Sequence, residues 1–192
     1  MPRQGLTTDR VVAAAAEMAD AIGLDRLTVA AVARHFGVAD ASLYGHVRNR
    51  EALLHQVAVR AAALFADRLS LAVAGRSGRD ALGGFAAAYR AFAVTHPGQY
   101  AATNLQLPPE IGLNSPGHLR LIDLSYATLR GYGLPEPALT DAIRLVRSTL
   151  HGFATLEAAG GFGHPRTLDT SFTSIVTDLH TLLSAKETHD HD

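Results

Sequence analysis

The stretch from Leu27 to Leu54 reads LTVAAVARHFGVADASLYGHVRNREALL and decides the fold. Thr28 belongs to the residue types that cap helix starts, and apolar residues follow it at helical spacing. Gly37 fits a helix end, because glycine adopts the left-handed backbone conformation without steric cost. A second short helix is predicted at roughly 39–46, with Leu43 facing inward. Two short helices joined by a glycine turn and followed by arginines are typical of a helix-turn-helix that reads duplex DNA.

The same stretch resembles the DNA-binding region of the TetR (tetracycline-repressor-like) family of transcriptional regulators. The matching positions are Leu27-Thr28, Gly37-Val38, Leu43-Tyr44, His46-Val47, the basic pair Arg48 and Arg50, and Leu53-Leu54. The resemblance implies an all-α fold, in which a three-helix DNA-binding domain is joined by a long helix to a C-terminal helical domain for ligand binding and dimerisation. The DNA-binding residues it implies are Thr28, Tyr44, His46 and Arg50 at the phosphate backbone, Asp40, Ala41, Ser42 and Gly45 facing base edges, and Arg48 of the basic pair.

Three departures from the family pattern predict that few side chains contact base edges directly. Gly45 stands where relatives often carry a large or basic side chain, and Ala30 and Ala41 are too short to bridge to a base edge. Asp40 can accept a hydrogen bond from a cytosine amino group, or it can instead cap the second helix away from DNA. We therefore expect specificity to depend partly on DNA shape and on Arg3, ahead of the first helix.

Composition limits the number of domains, but the overall charge does not indicate a nucleic-acid partner. The chain has 192 residues, of which 47% are apolar and 18% charged, with a net charge of −1. This balance fits one or two compact domains and excludes a disordered protein. Residues 1–50 contain six arginines and five acidic residues, but residues 34–50 contain three arginines and one aspartate. The basic excess is therefore local, where phosphates would run.

Several classes of site and location are not indicated by the sequence. Cysteine is absent, which removes disulfides, thiolate nucleophiles and thiolate metal sites. No His or carboxylate cluster suggests a fixed metal site, and no cofactor is predicted. No segment reads as a signal peptide or membrane span, so we expect a cytoplasmic protein with no membrane partner.

Helical periodicity, interrupted by glycine and proline, divides the chain into three predicted regions. These are a DNA-binding domain at 1–50, an effector-binding and dimerisation domain at 51–185, and a polar tail at 186–192. No strand-like alternation is found. Outside the stretch quoted above, helices are predicted at 8–22, 51–71, 80–95, 119–132, 135–159 and 168–185, with a shorter segment at 100–107.

The helix predicted at 135–159 has two apolar faces. One contains Leu139, Ile143, Val146, Leu150 and Phe153, the pattern of a buried seam. Since one seam suffices for a core, the second predicts a homodimer interface, shared with the last helix. A wholly internal helix is the alternative. The predicted interface residues are Ala142, Leu145, Thr149, Gly152, Leu156, Phe172, Ile175, Leu179 and Leu182.

Residues 150–153 and 156–163, reading LHGF and LEAAGGFG, resemble the effector domain of some TetR-like regulators. A small-molecule cavity lined by apolar surfaces with a few polar groups is expected in the C-terminal domain. The candidates are Phe65, Tyr89, Phe92, Tyr100, Asn104, Leu119, Ile122, Tyr126, Arg147 and His151. Ordinary core packing is the alternative for the apolar members, and a structural hydrogen bond is the alternative for Arg147 and His151.

The sequence therefore predicts a ligand-responsive repressor that binds palindromic double-stranded operator DNA as a homodimer and is released by a small, largely apolar molecule. One alternative is a helix-turn-helix protein that senses no ligand. The other is an enzyme, for which Ser148, His151 and Glu157 offer the only grouping. A hydrolytic triad needs a strained nucleophile turn and an oxyanion site, and neither exists in the middle of a helix.

Overall fold

The computed structural model describes residues 5–189, and over this range the chain is helical with no strand. The α-helices are α1 (Thr8–Ile22), α2 (Val29–Phe36), α3 (Asp40–Leu43), α4 (Arg50–Val73), α5 (Gly78–Thr95), α6 (Pro97–Ala102), α7 (Pro109–Gly112), α8 (Pro116–Leu129), α9 (Ala138–Ala158) and α10 (Leu168–His189). Short 3₁₀ turns lie at Leu24–Arg26 and Arg130–Tyr132. The all-α prediction is confirmed.

The described residues form two compact units whose limits differ from the predicted boundary at residue 50. The first unit comprises the chain up to Phe65 together with Thr95–Leu119. The second comprises Ala66–Val94 and the chain from Arg120 onward. Helix α10 continues to His189, so the predicted polar tail begins as helix, and residues 190–192 lie outside the described residues.

The first unit is built on small and β-branched residues of α1, α2 and α4. Thr7 caps α1 by accepting a hydrogen bond from the Arg10 N–H, and the helix has the predicted bounds of 8–22, with Gly23 at its C-cap. Val11 and Ala15 are fully buried in one cluster with Val57 and Ala58 of α4. Ile22, the last residue of α1, is 39% exposed.

Helix α6 belongs to this first unit because it packs directly on α1. A Cβ at Gly98 would meet the Ala19 carbonyl and lie 2.6 Å from the Asp20 nitrogen, so only glycine allows this approach. The Asp20 carboxylate accepts hydrogen bonds from the Gln99 backbone at 2.8 Å and from its side-chain amide at 2.6 Å. It also pairs with His96 at 3.1 Å. The segment after α5 is thereby fixed to α1.

The second unit is held together by a cation surrounded by aromatic rings and carboxylates. Arg90 of α5 donates two hydrogen bonds to Glu157, at 2.6 and 2.7 Å, and one to Asp169 at 2.7 Å. Its guanidinium also lies over the rings of Phe153 and Phe172, at 5.4 and 5.0 Å. These contacts raise the pKa of Arg90, chiefly through the hydrogen bonds to Glu157, and they fasten α5 to α9 and α10.

Within residues 5–189, none of the helices has the length and apolar character needed to cross a membrane.

Candidate nucleic-acid interface

The helix-turn-helix begins and turns as its sequence predicts. The hydroxyl of Thr28 accepts a hydrogen bond from the Ala31 N–H at 3.1 Å, which caps α2. Gly37 ends α2 in the left-handed conformation, with φ of 66°. The Val38 N–H then bonds to the Ala33 carbonyl at 3.1 Å. The Gly37 conformation and the Val38–Ala33 hydrogen bond fix the angle at which the chain leaves α2.

The second helix is shorter than predicted and is followed by a turn. Helix α3 covers only Asp40–Leu43, and in the turn that follows, the Leu43 carbonyl accepts hydrogen bonds from the backbone N–H groups of both His46 and Val47. Leu43 is fully buried and Val47 is 1% exposed, which anchors both ends of the turn. These two buried side chains fix α3 and its turn to the domain core and leave the opposite face outward.

The candidate readout residues lie on this outer face. Asp40, Ala41, Ser42 and Gly45 are all exposed. The N-cap position of α3 is Ala39 and no side chain caps it, so the interpretation of Asp40 as an N-cap is wrong. A Cβ at Gly45 would have only the Ser42 carbonyl oxygen nearby, at 3.8 Å, so this position has room for a side chain.

Tyr44, His46 and Arg48 border the same face. Tyr44 is 57% exposed, although it is a large ring, and Arg48 is exposed as well. His46 is half-buried, with its Nδ1 3.4 Å from the hydroxyl of Thr8 in α1. Exposed aromatic and cationic groups beside a turn are suited to contacts with phosphates and sugars.

Arg50 has a different environment from Arg48. Its guanidinium donates hydrogen bonds to the backbone carbonyls of Leu27 at 2.7 Å, Asp25 at 2.9 Å and Leu24 at 3.4 Å. Donors used in this way hold the start of α4 against the turn before α2. No sequence pattern indicates these bonds, since carbonyl partners more than twenty residues away are visible only in the tertiary structure.

Two further residues support the interface and were missed by sequence reasoning. Asn49 caps α4 by accepting a hydrogen bond from the Ala52 N–H at 2.7 Å. Arg10 of α1 lies over the ring of Phe36 at 6.0 Å. Asn49 was recognisable, because it is a preferred cap residue directly ahead of a helix. The predicted contributor Arg3 lies outside the described residues.

Comparison with known proteins agrees with this geometry. Residues 11–57 match the family model described as bacterial regulatory proteins, tetR family. Residues 82–179 match the model described as tetracyclin repressor-like, C-terminal domain. The chain belongs to the TetR family of bacterial transcriptional regulators. It is accordingly a regulator and not an enzyme.

Two curated relatives of this TetR-family regulator are both described as helix-turn-helix-type transcriptional regulators. The helix-turn-helix-type transcriptional regulator YobS of Bacillus subtilis is 33% identical over 161 residues, which is 84% of each chain. A helix-turn-helix-type transcriptional regulator of Mycobacterium tuberculosis is 34% identical over 188 residues, covering 96% of this chain and 84% of the relative.

Solved structures share the fold. A protein of unknown function from Rhodococcus sp. RHA1 superposes with a TM-score of 0.78 at 25% identity, covering 95% of this chain and 97% of that one. A single-residue variant of TetR from Acinetobacter baumannii AYE, solved in complex with minocycline, gives a TM-score of 0.70 at 21% identity, covering 95% of this chain and 99% of that one.

The residues predicted for a dimer interface divide into two groups. Three of them are buried within the single chain and are corrected to core positions: Ala142 at 0%, Phe172 at 7% and Leu179 at 6% exposure. They lie on the helix faces that pack inside the second unit. The others are half-buried or exposed, namely Leu145, Thr149, Gly152, Leu156, Ile175 and Leu182. We call these six residues the α9–α10 stripe.

The predicted ligand residues of the first unit are of two kinds. Phe65 and Tyr100 are buried and meet edge to face, with ring centres 6.1 Å apart. Asn104 is exposed and donates to the Tyr100 carbonyl at 2.9 Å, which is a local turn contact. Leu119 is 43% exposed.

The candidates of the second unit are similarly mixed. Tyr89 and Phe92 are buried, whereas Ile122 is 55% exposed. Tyr126 is half-buried, with its hydroxyl 3.3 Å from that of Thr140. Arg147 is exposed and His151 half-buried. All ten ligand assignments stay predictions.

A groove of about 610 Å³ lies elsewhere in the second unit, between α5 and α10. Its lining includes Gly83 and Gly84 on α5 and Thr173 and Val176 on α10. Of its lining residues, only Phe172 was among the predicted site residues, where it was assigned to the dimer interface.

Proposed function

We propose that this TetR-family regulator is a ligand-responsive repressor that binds palindromic operator DNA in the cytoplasm as a homodimer. The observation that carries the proposal is the outer face of α3 and its turn. There, Asp40, Ser42 and Tyr44 are exposed while Leu43 between them is fully buried. This is the arrangement of a helix presented to a major groove.

Contacts with the DNA backbone are proposed for Thr28, Tyr44, His46 and Arg48. Thr28, Tyr44 and Arg48 are exposed and His46 is half-buried, and together they carry hydroxyl, imidazole and guanidinium donors. Base contacts are proposed for Asp40 and Ser42, while Ala41 and Gly45 allow close approach. Arg50 acts as a positioning residue, because its guanidinium is bonded to carbonyls of the first unit.

The homodimer is proposed to form through the α9–α10 stripe. On α9 its members follow one another at intervals of four, three and four residues, which places them on one side of the helix. Leu156 and Leu182 are 49% and 47% exposed. A Cβ at Gly152 would have no heavy atom within 4 Å, so this part of α9 is open. A two-fold pairing of this surface would bury leucines that one chain leaves in water.

Response to a small molecule is supported by a protein of the same fold, since the Acinetobacter baumannii protein was solved with minocycline. Release requires the ligand to prefer the arrangement that does not bind DNA. A tenfold loss of operator affinity corresponds to a coupling free energy of about 1.4 kcal/mol.

The test is fluorescence anisotropy with DNA from the region upstream of the protein's own gene, combined with sedimentation. We expect a dimer on one palindromic site, with half-sites about 34–36 Å apart. We also expect release by a fractionated metabolite extract. Binding without release by any fraction would favour a DNA-binding protein that senses no ligand. A monomer on DNA would disprove the dimeric arrangement.

A further inference from the structure

The imidazole of His118, in the first turn of α8, has one satisfied and one unsatisfied nitrogen. Its Nδ1 lies 2.8 Å from the hydroxyl of Ser115, which is itself only 2% exposed. Its Nε2 is buried and has no hydrogen-bond partner among the described residues. Sequence reasoning did not single out this histidine.

An unsatisfied nitrogen of this kind is uncommon, because nearly all buried polar groups in folded proteins have partners. Leaving one without a partner destabilises the arrangement that buries it. Burial also lowers the pKa of His118, so the ring is neutral at neutral pH. Nε2 therefore offers a single uncharged donor or acceptor, depending on how the Ser115 hydroxyl is oriented.

The neighbouring residue connects this nitrogen to the helix that starts at the DNA-binding motif. A Cβ at Gly117 would lie 2.7 Å from the Ala62 carbonyl carbon and 2.8 Å from the Ala63 Cα. The start of α8 thus rests directly on the backbone of α4. All these residues belong to the first compact unit, which also contains the helix-turn-helix.

We propose that His118 Nε2 is the polar contact for the effector, an uncharged and largely apolar molecule that carries one hydrogen-bonding oxygen. The inference rests on the proposed ligand response. Nε2 has almost no accessible surface in the described arrangement, so the ligand reaches it only when the start of α8, which carries His118 and packs on α4 at Gly117, moves away from the residues that cover this nitrogen. The ligand then satisfies the nitrogen in the moved arrangement alone, which gives it the differential affinity that a conformational shift requires.

Two substitutions distinguish the role of Nδ1 from the role of Nε2. His118→Asn keeps an amide near the position of Nδ1, where it can still pair with Ser115, but removes Nε2. His118→Gln places an amide near Nε2 instead. A ligand contact depends on the second position, whereas a purely structural role through Ser115 depends on the first.

The probes are three para-substituted toluenes of similar shape: p-xylene, p-cresol and p-toluate. Binding is followed by NMR titration of the protein without DNA, using the side-chain ¹⁵N signals of histidine in the wild type. We expect p-cresol to bind about tenfold more tightly than p-xylene, as one added hydrogen bond allows, and to shift the Nε2 signal of His118. The preference should persist in His118→Gln and disappear in His118→Asn.

Gly83→Leu serves as the control, because it places a side chain in the groove between α5 and α10, far along the sequence from His118. The inference is overturned if p-cresol has no advantage in the wild type, if the advantage survives in His118→Asn, if p-toluate binds most tightly, or if only Gly83→Leu abolishes binding. Binding through His118 together with no release of operator DNA by any molecule would retain the site and disprove the ligand-responsive repressor.

Discussion

At the scale of single residues, two arginines of the same basic pair have different surroundings. Arg50 donates to the carbonyls of Leu27, Asp25 and Leu24, whereas Arg48 is exposed and forms no hydrogen bond or ion pair within the described residues. We expect Arg50→Ala to lower the free energy of unfolding by about 1–3 kcal/mol, because charged hydrogen bonds to backbone carbonyls are lost. Urea unfolding measures this.

Arg48→Ala is the matched control for that experiment. It should leave the unfolding midpoint unchanged and weaken binding to all DNA sequences about equally. The slope of the logarithm of the binding constant against the logarithm of the salt concentration should become shallower by about one. If Arg50→Ala left stability unchanged and altered only DNA binding, Arg50 would be a phosphate contact and not a positioning residue.

Gly45 permits a gain of affinity. Because the only heavy atom near a Cβ there is the Ser42 carbonyl oxygen at 3.8 Å, a long side chain fits. Gly45→Lys should strengthen binding to operator and unrelated DNA alike and steepen the salt dependence by about one ion, since a charge on this face meets phosphates. Gly45→Gln, of comparable length without the charge, is the control. Unchanged binding and an unchanged salt dependence in Gly45→Lys would show that this face does not meet DNA.

At the scale of elements, the contact of α6 with α1 depends on one missing side chain. A Cβ at Gly98 would meet the Ala19 carbonyl, so Gly98→Ala must push α6 away and disturb the hydrogen bonds to Asp20. We expect a loss of about 3 kcal/mol in the free energy of unfolding, the upper part of the range for overpacking.

Gly83→Ala provides the comparison for Gly98→Ala, because a Cβ at Gly83 has no heavy atom within 4 Å. In that open position alanine should stabilise α5 by about 0.5–1 kcal/mol through its better helix propensity. Equal effects of the two substitutions in urea unfolding would contradict the close packing of α6 on α1.

At the scale of the whole molecule, the proposed dimer depends on leucines that the single chain leaves half-exposed. Leu156→Arg and Leu182→Arg should each shift the protein to monomers in sedimentation at micromolar concentration, because each would bury an unpaired charge in the interface. Operator binding should weaken along with dimerisation, since one short recognition helix specifies too few bases.

Leu71→Arg tests whether any exposed leucine would behave in this way. Leu71 is 77% exposed on α4 and does not belong to the α9–α10 stripe, so this variant should remain a dimer. Dimers that persist in both stripe variants would place the interface elsewhere.

The sequence by itself determined the features that depend on near neighbours along the chain. Caps and turns form between residues three to five positions apart, so Thr28 and Gly37 were assigned correctly from their chemistry alone. Helical periodicity likewise identified the long helices and the inward side chain Leu43. The same periodicity predicts which residues of α3 face outward once Leu43 is placed inward.

Only the tertiary structure decided which distant residues meet. Periodicity gives a helix two faces but does not say what covers each one, so Ala142 and Leu156 looked equivalent until one proved fully buried and the other half-exposed. The carbonyl partners of Arg50 and the buried Nε2 of His118 depend on how separate segments pack, and no local signal records that packing.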